Sequence, residues 1–261
     1  MMCGELTDFL EKEIPLRAAE SWDNPGLQVG RRDACVRRVY LALDATRQVI
    51  DHSIAWGADL LITHHPLMME GIRKVNADDF HGEKILKMAE HHLAHYAMHT
   101  NYDGCRMGEI CSRRLQLQET EILEVTEERA DGVSRGIGTA GFLPRRMTAE
   151  ECCAQVKRAF GLGQVRIFGD PCKEVFRAAL CPGSGKSLLP RVFEKQADVY
   201  ITGDIGHHDG IDAADQGLCI IDAGHYGLEH VFVEDMESYL RETFPELEVK
   251  AERGDWPFAF A

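Results

Sequence analysis

Two adjacent histidines, His64 and His65, follow a short apolar run, and Pro66 ends that run. The run, residues 59–63, has the length and β-branched content of a buried strand. Ligands of open α/β sheets bind beyond the carboxyl ends of strands. Successive side chains of an extended chain point to opposite sides, so the two imidazoles do not easily chelate one ion. The pair instead suits two ions, or one ligand with a supporting neighbour.

A second polar segment contains His99 and Asp103, and it follows a predicted strand at residues 93–98. If this strand and the strand before His64 are parallel neighbours, their carboxyl ends lie side by side. The sequence therefore predicts that His99 and Asp103 lie close to the histidine pair.

A third segment places His225 and Glu229 four residues apart at the start of a predicted helix, residues 226–243. A spacing of four puts both side chains on one helix face. Gly224 and a predicted strand at residues 218–221 come directly before them. A third strand end thus presents an imidazole together with a carboxylate.

The three segments offer nitrogen and oxygen ligands and no thiolate. Such a set suits Zn, Fe(II), Mn or Co better than Ca or Cu(I). Even three of these four histidines, with the two carboxylates, exceed one tetrahedral site, and they suit two ions about 3.5–4 Å apart with a shared carboxylate or water. A single histidine on a strand is usually an ordinary hydrogen-bonded side chain, so the prediction depends on all three segments together.

A further cluster, Asp204, His207 and His208, follows a predicted strand at residues 199–202. These side chains suit metal ligation, hydrogen bonding to ligands, or proton transfer. The alternative is a polar helix N-terminus, where an aspartate is favourable. Spacing alone leaves these alternatives open.

The segment Cys181-Pro182-Gly183-Ser184-Gly185-Lys186-Ser187 invites comparison with a phosphate-binding loop. The motif requires a glycine where this chain has Leu180, so nucleotide binding of that type is not expected. The backbone amides of the Gly183-Ser184-Gly185 turn remain a candidate anion site.

Strands that alternate with helices predict an α/β fold with mostly parallel or mixed sheets. A charged segment, residues 127–134, reads as a linker between two domains. We expect residues 1–126 with 223–261 to form the first α/β domain, and residues 127–222 the second. Trp22 and Leu27 are expected to anchor a loop in the core, and His91, His92 and His95 to be helix-end or surface residues.

The formal net charge is −14, which argues against a protein that coats nucleic acid or anionic membrane. Nine cysteines, an odd number, without a CxxC pair indicate reduced thiols in a cytoplasmic protein. Apolar runs stay short of about 18 residues, so no membrane-spanning segment is expected.

Several motifs occur together in one order along the chain. They are Ser21-Trp22-Asp23-Asn24, Gly26-Leu27-Gln28-Val29-Gly30, Thr63-His64-His65-Pro66, His99 with Asp103, Gly183-Ser184-Gly185, Tyr200-Ile201-Thr202-Gly203-Asp204 with His208, and Gly224-His225 with Glu229. In this order the chain resembles the dinuclear metal-centre proteins known as GTP cyclohydrolase I type 2 homologues. The motifs span nearly the whole chain, which makes the resemblance specific.

The resemblance implies two facing α/β domains with two divalent ions in the cleft between them. It implies that the ligands are His64, His65, Asp103, His225 and Glu229, with Glu229 bridging. It also implies that His99 and His208 lie near the ions as proton carriers. Members commonly form toroidal homohexamers, and this chain resembles the compact form without an inserted domain. Lys186 and the double His207-His208 depart from many relatives and leave the substrate open.

The implied activity is hydrolysis of a nucleotide or related small molecule by metal-activated water, as in a GTP cyclohydrolase. One alternative is a metal-binding scaffold or regulatory protein without turnover. Another is a phosphoesterase that acts on nucleotides or on nucleic-acid ends, although the net charge disfavours nucleic acid. We expect no membrane partner. The ligand set alone does not identify the substrate class.

Overall fold

The computed structural model describes residues 1–128, 132–253 and 256–258. The chain divides into two compact units, Met1–Tyr102 with Phe232–Ala261 and Asp103–Val231. Each unit has its own mixed β-sheet with associated helices. The predicted α/β fold class is therefore confirmed.

The elements alternate along most of the chain. Up to Tyr102 they are α1 (Cys3–Glu13), β1 (Gly26–Val29), β2 (Arg38–Ala42), α2 (Arg47–Trp56), β3 (Leu60–Thr63), α3 (Phe80–Glu90), β4 (Ala94–Ala97) and α4 (Thr100–Tyr102). A π-helical segment, Asp103–Met107, leads into α5 (Gly108–Leu115), β5 (Gln118–Glu128), β6 (Ser134–Thr148), α6 (Ala149–Phe160), β7 (Arg166–Phe168) and β8 (Glu174–Ser184). Then follow α7 (Leu189–Glu194), β9 (Val199–Gly203), α8 (His207–Asp215), β10 (Cys219–Asp222), α9 (His225–Glu229), α10 (Val231–Thr243) and β11 (Glu248–Ala251).

The sheet of the first unit has the order β1-β4-β3-β2-β11. β3 pairs in parallel with both β2 and β4, and β11 pairs in parallel with β2. The carboxyl ends of β2, β3 and β4 therefore lie side by side at one edge. β1 runs antiparallel to β4, so the loop before Gly26 lies at this same edge.

The sheet of the second unit has the order β5-β6-β8-β9-β10-β7. β8, β9 and β10 are parallel neighbours, while β5, β6 and β7 pair antiparallel. The chain after Gly183, Gly203 and Asp222 thus emerges at one edge of this sheet.

The observed unit boundaries differ from the predicted domain boundaries at residues 126 and 223. β5 was expected to belong to the first sheet, but it is antiparallel to β6 and forms part of the second. The predicted linker, residues 127–134, is strand only at its two ends, because β5 ends at Glu128 and β6 begins at Ser134. Residues 129–131, in the middle of that prediction, lie outside the described residues.

Local sequence signals account for several helix ends. Thr148 and Glu151 form a capping box at the start of α6, and Gly161 ends that helix in the left-handed conformation. The long helix predicted for residues 226–243 is instead two helices, α9 and α10, which are separated at His230. In the described part of the chain, no helix combines the length and the apolar character needed to cross a membrane.

Candidate metal centre

His64 follows β3 directly and is fully buried. Its Nδ1 lies 2.7 Å from the carbonyl oxygen of Met98, which follows the neighbouring strand β4. A carbonyl only accepts, so Nδ1 must carry the proton and donate it. This hydrogen bond fixes the tautomer in which Nε2 presents a lone pair, as a metal ligand requires.

His65 is oriented in the same way by a different acceptor. Its Nδ1 lies 2.7 Å from Oδ1 of Asp44, the second residue after β2. Because β2 and β3 are parallel neighbours, the carboxylate and the imidazole leave the same sheet edge together. A carboxylate–imidazole pair of this kind makes the opposite ring nitrogen a better metal ligand.

His99 follows the next strand and is held by Asp23, from the loop before β1. Nδ1 of His99 lies 2.8 Å from Oδ1 of Asp23, whose side chain is fully buried. The other carboxylate oxygen accepts from the backbone amide of Thr100 at 3.0 Å. Burial acts to raise the pKa of Asp23, but the hydrogen bonds from His99 and Thr100 outweigh it and hold that pKa below its ordinary value.

The three imidazoles converge within the first unit. One ring nitrogen from each of His64, His65 and His99 lies within 4.8 Å of the other two. The expectation that His64 and His65 diverge is therefore wrong, since their ring centroids are 5.0 Å apart. β3 ends at Thr63, so the pair lies in a bend and not on extended chain.

In the second unit, α9 brings His225 and Glu229 together as predicted. Nε2 of His225 lies 2.9 Å from Oε2 of Glu229, which is 4 % exposed. Nδ1 of His225 lies 2.9 Å from Oδ2 of Asp204, which follows β9 with a φ of 55°. Of the roles considered for Asp204, the structure thus supports that of an acceptor that orients a candidate ligand.

Gly183 makes room for the carboxylate of Glu229. A Cβ atom on Gly183 would lie 2.2 Å from Oε1 of Glu229, and the φ of this glycine is +73°. The neighbouring Gly185 amide donates to Oγ1 of Thr202 at 3.1 Å. The Gly-Ser-Gly turn therefore supports Glu229, and the Gly185 amide is used within the protein instead of being turned toward an anion.

Asp103 begins the π-helical segment and is half-buried. Burial, with added repulsion from the carboxylates of Asp103 and Glu229, raises the pKa of Cys181 to about 12. Burial also raises the pKa of Cys111, and the same two carboxylates act in that direction. Both carboxylates therefore lie close to one pair of buried thiols, which the sequence did not indicate.

The remaining predicted groups are His207, His208 and Lys186. His207 and His208 lie exposed on the first turn of α8, and Lys186 forms an ion pair with Asp209 at 3.0 Å. Among the described residues, no group of three possible metal ligands includes His207 or His208. The role of His208 stays a prediction.

Two predicted environments are wrong. Trp22 is not a core anchor, because it is 59 % exposed, and its ring lies edge-on to that of His99 with the ring centroids 5.9 Å apart. His95 is not on the surface, because β4 is an interior strand of its sheet and buries it completely. Nε2 of His95 lies 2.7 Å from Oγ1 of Thr63, and burial lowers the pKa of His95 to about 3.

The ligand chemistry of each unit fits a divalent ion. The imidazoles are fixed in ring orientation, and the donors are nitrogen and oxygen atoms without a thiolate. Sequence reasoning named these donors but missed Asp23, Asp44 and Gly183 as the groups that place them. Asp44 carried a usable signal, since it follows a strand in the same way as the histidines do.

Comparisons with known proteins agree with this geometry. A protein from Clostridium acetobutylicum named GTP cyclohydrolase 1 type 2 homolog is 33% identical over 227 residues, which covers 86% of this chain and 84% of the relative. A relative of the same name from Streptococcus pneumoniae is 33% identical over 246 residues, which covers 92% and 90%. These names confirm the family expected from the motifs.

Solved structures share the fold. The Staphylococcus aureus protein SA1388 superposes with a TM-score of 0.91 at 27% identity, covering 100% of this chain and 99% of that one. Reduced HcgD from Methanocaldococcus jannaschii gives a TM-score of 0.83 at 28% identity, covering 97% and 98%. The model of the family Duf34/NIF3 (NGG1p interacting factor 3) matches residues 1–254. The chain therefore belongs to the Duf34/NIF3 family.

Proposed function

We propose that this protein is a metal-dependent hydrolase with a dinuclear centre. The ligands in this proposal are His64, His65, Asp103, His225 and Glu229, with Glu229 as the bridge. One shared feature supports it most strongly: the Nδ1 of each ligand histidine, His64, His65 and His225, is held by an oxygen acceptor. Metal-binding histidines almost always have this second hydrogen bond, which leaves Nε2 for the ion.

The remaining groups have separate tasks in this proposal. Two bound divalent ions would lower the pKa of a shared water toward neutrality and so provide a nucleophile at neutral pH. His99, whose ring is oriented by the buried carboxylate of Asp23, is the first proton carrier in this proposal. His208 is the second proton carrier proposed, and its exposed ring is open to exchange with solvent.

The substrate class follows from the names of the relatives and is part of the proposal. A GTP cyclohydrolase type of reaction would place the attack on an electron-poor carbon of a purine ring. The phosphoesterase alternative would place it on phosphorus, and both use the same activated water. The scaffold alternative predicts bound metal without turnover.

Metal analysis of the wild type and Glu229→Ala tests the dinuclear centre. We expect two ions per chain in the wild type and at most one in Glu229→Ala, because the bridge between the ions is lost. The matched control is Glu90→Ala, which removes an exposed carboxylate at the end of α3. If Glu229→Ala retains two ions, the bridging assignment fails.

A turnover screen with GTP and with phosphoesters then tests catalysis. We expect the metal-replete wild type to hydrolyse one of these substrates, and Glu229→Ala to lose most of that rate. If the metal-replete wild type hydrolyses nothing beyond what Glu229→Ala does, the enzyme proposal fails and the scaffold alternative replaces it.

A further inference from the structure

A cavity of about 680 Å³ opens directly after the histidine pair. All the residues that line it lie in the first unit between Pro66 and His81, and the first of them is next to His65. Volumes of roughly 300–1,000 Å³ are typical of sites for small molecules. The cavity thus has the size of a substrate site and lies one residue from a candidate metal ligand.

The start of this wall is held in place by the loop that also supports His99. The backbone carbonyl of Met68 accepts from Nδ2 of Asn24 at 2.6 Å and from Nε2 of Gln28 at 3.2 Å. The backbone amide of Met68 donates to Oε1 of Gln28 at 3.0 Å. Asp23, the residue before Asn24, orients His99. The loop before β1, together with Gln28 of β1, therefore holds both Met68 of the cavity wall and a candidate catalytic imidazole.

Two cations line the cavity without a carboxylate partner. Arg73 and Lys74 are exposed, and neither forms an ion pair or hydrogen bond with any residue that the structure describes. This is notable in a chain of net charge −14, in which many arginines are paired. Such cations in a concave site suit an anionic ligand, because no existing ion pair has to break when they bind it.

The other charged and apolar groups of the wall narrow the ligand class. Asp79 is committed to capping α3, where its Oδ2 accepts from the amides of His81 and Gly82. Glu70 is the other acidic side chain of the wall. Met69 and Ile72 are 41% and 37% exposed beside the cations. The wall thus joins apolar surface to positive charge, as a ligand with an apolar ring and an anionic group requires.

We propose that this cavity binds the phosphoryl group of a nucleoside phosphate through Arg73 and Lys74, with the base or sugar against Met69 and Ile72. The inference deepens the proposed function, since it assumes that the adjacent histidines belong to the hydrolytic centre. It identifies the substrate as a phosphorylated nucleoside and not a free base or nucleoside.

Calorimetric titration of the metal-free protein with GTP, guanosine and inorganic pyrophosphate, without divalent cations, tests this cavity. We expect GTP to bind at least 10-fold more tightly than guanosine, and Arg73→Ala/Lys74→Ala to lose at least 10-fold in GTP affinity. Competition by pyrophosphate would support recognition through the phosphates. Both replaced side chains are exposed, so the variant should unfold at the wild-type temperature.

The matched control is Lys157→Ala/Arg158→Ala, which removes an adjacent cation pair from α6, and neither residue lines the cavity. We expect wild-type GTP affinity from this control. The proposal is overturned if Arg73→Ala/Lys74→Ala binds GTP as the wild type does. It is equally overturned if the wild type binds GTP no better than guanosine, or binds no GTP at all.

Metal content measured on the same variants separates this inference from the proposed function. We expect Arg73→Ala/Lys74→Ala to retain two ions per chain while it loses GTP affinity. Intact metal content with unchanged GTP affinity refutes the cavity assignment alone. A wild type that binds GTP through these cations but holds no metal refutes the dinuclear centre alone.

Discussion

At the scale of single residues, what matters is the partner of each imidazole. His64 donates to a backbone carbonyl, whereas His65, His99 and His225 face the carboxylates of Asp44, Asp23 and Asp204. Both kinds of acceptor fix the tautomer and the orientation of the ring. His64 differs from the other three in that its acceptor is a neutral carbonyl and its side chain is completely buried.

The Asp23 carboxylate gives a test that needs no metal. Its folded pKa lies below the unfolded value of about 3.9, so the folded state binds fewer protons than the unfolded state. The stabilisation is therefore present above about pH 4 and is lost as the pH falls through the folded pKa. We expect Asp23→Asn to lower the free energy of unfolding by about 1–3 kcal/mol at pH 7 and by less at pH 2–3.

Chemical denaturation of the metal-free proteins across this pH range is the measurement. Asp212→Asn, an exposed aspartate on α8, is the control and should follow the wild type at every pH. A constant difference between wild type and Asp23→Asn from pH 7 to pH 2 would show that the ionised carboxylate is not the stabilising form.

Residue types alone identified the candidate ligands but not most of the groups that orient them. His65 and Asp44 are 21 residues apart, and His99 and Asp23 are 76 apart. Such pairs depend on strand order, which local patterns do not encode. The sequence already indicated Asp204 as a candidate, because this residue follows a strand. The geometry was needed to distinguish a metal ligand from a hydrogen-bond acceptor.

At the scale of elements, the prediction that polar residues meet at strand ends is confirmed where neighbouring strands are parallel. β2, β3 and β4 deliver their polar residues to one edge, and β8, β9 and β10 do so in the second sheet. The assignment of β5 to the first domain failed, because alternation with helices gave no sign that this strand pairs antiparallel with β6. Antiparallel pairing needs only a short turn, so an alternating pattern can conceal it.

The end of β8 provides a test of how closely the elements around Glu229 are packed. Gly183→Ala combines a positive φ with a Cβ 2.2 Å from Oε1 of Glu229. Gly161→Ala is a matched control, since its φ is +67° and nothing lies within 4 Å of the added atom. We expect Gly161→Ala to lose about 1 kcal/mol of stability with full metal content. Gly183→Ala should lose more stability and also bind less metal.

Thermal unfolding and metal analysis of both variants make the comparison. The strain of a positive φ is common to the two, so the difference between them isolates the contact with Glu229. Equal stability and equal metal content in the two variants would mean that Glu229 does not depend on the space at Gly183.

At the scale of the whole molecule, the chain has two units, each with its own sheet and its own set of candidate ligands. His64, His65 and His99 belong to the first unit, and Asp103, His225 and Glu229 belong to the second. Asp and Glu outnumber Lys and Arg by 43 to 29. This excess repels polyanions at long range, while a small anion can still reach a local pair of cations.

The net charge separates small nucleotides from nucleic acids as substrates. We expect no measurable binding to duplex DNA in a gel-shift assay at about 150 mM salt, because few cations are available to displace counterions from the phosphates. Binding that weakens steeply between about 50 and 200 mM salt would instead support the phosphoesterase of nucleic-acid ends.

The fixed ring orientations have a consequence for the identity of the metal. Acceptors outside the donor set already hold the imidazoles, so an arriving ion need not reorganise them. Nitrogen and oxygen donors without a thiolate discriminate weakly among Zn, Fe(II), Mn and Co. Which of these ions a site of this kind would hold then depends on two quantities, the Irving–Williams order of intrinsic affinities and the free concentration of each ion in the cell.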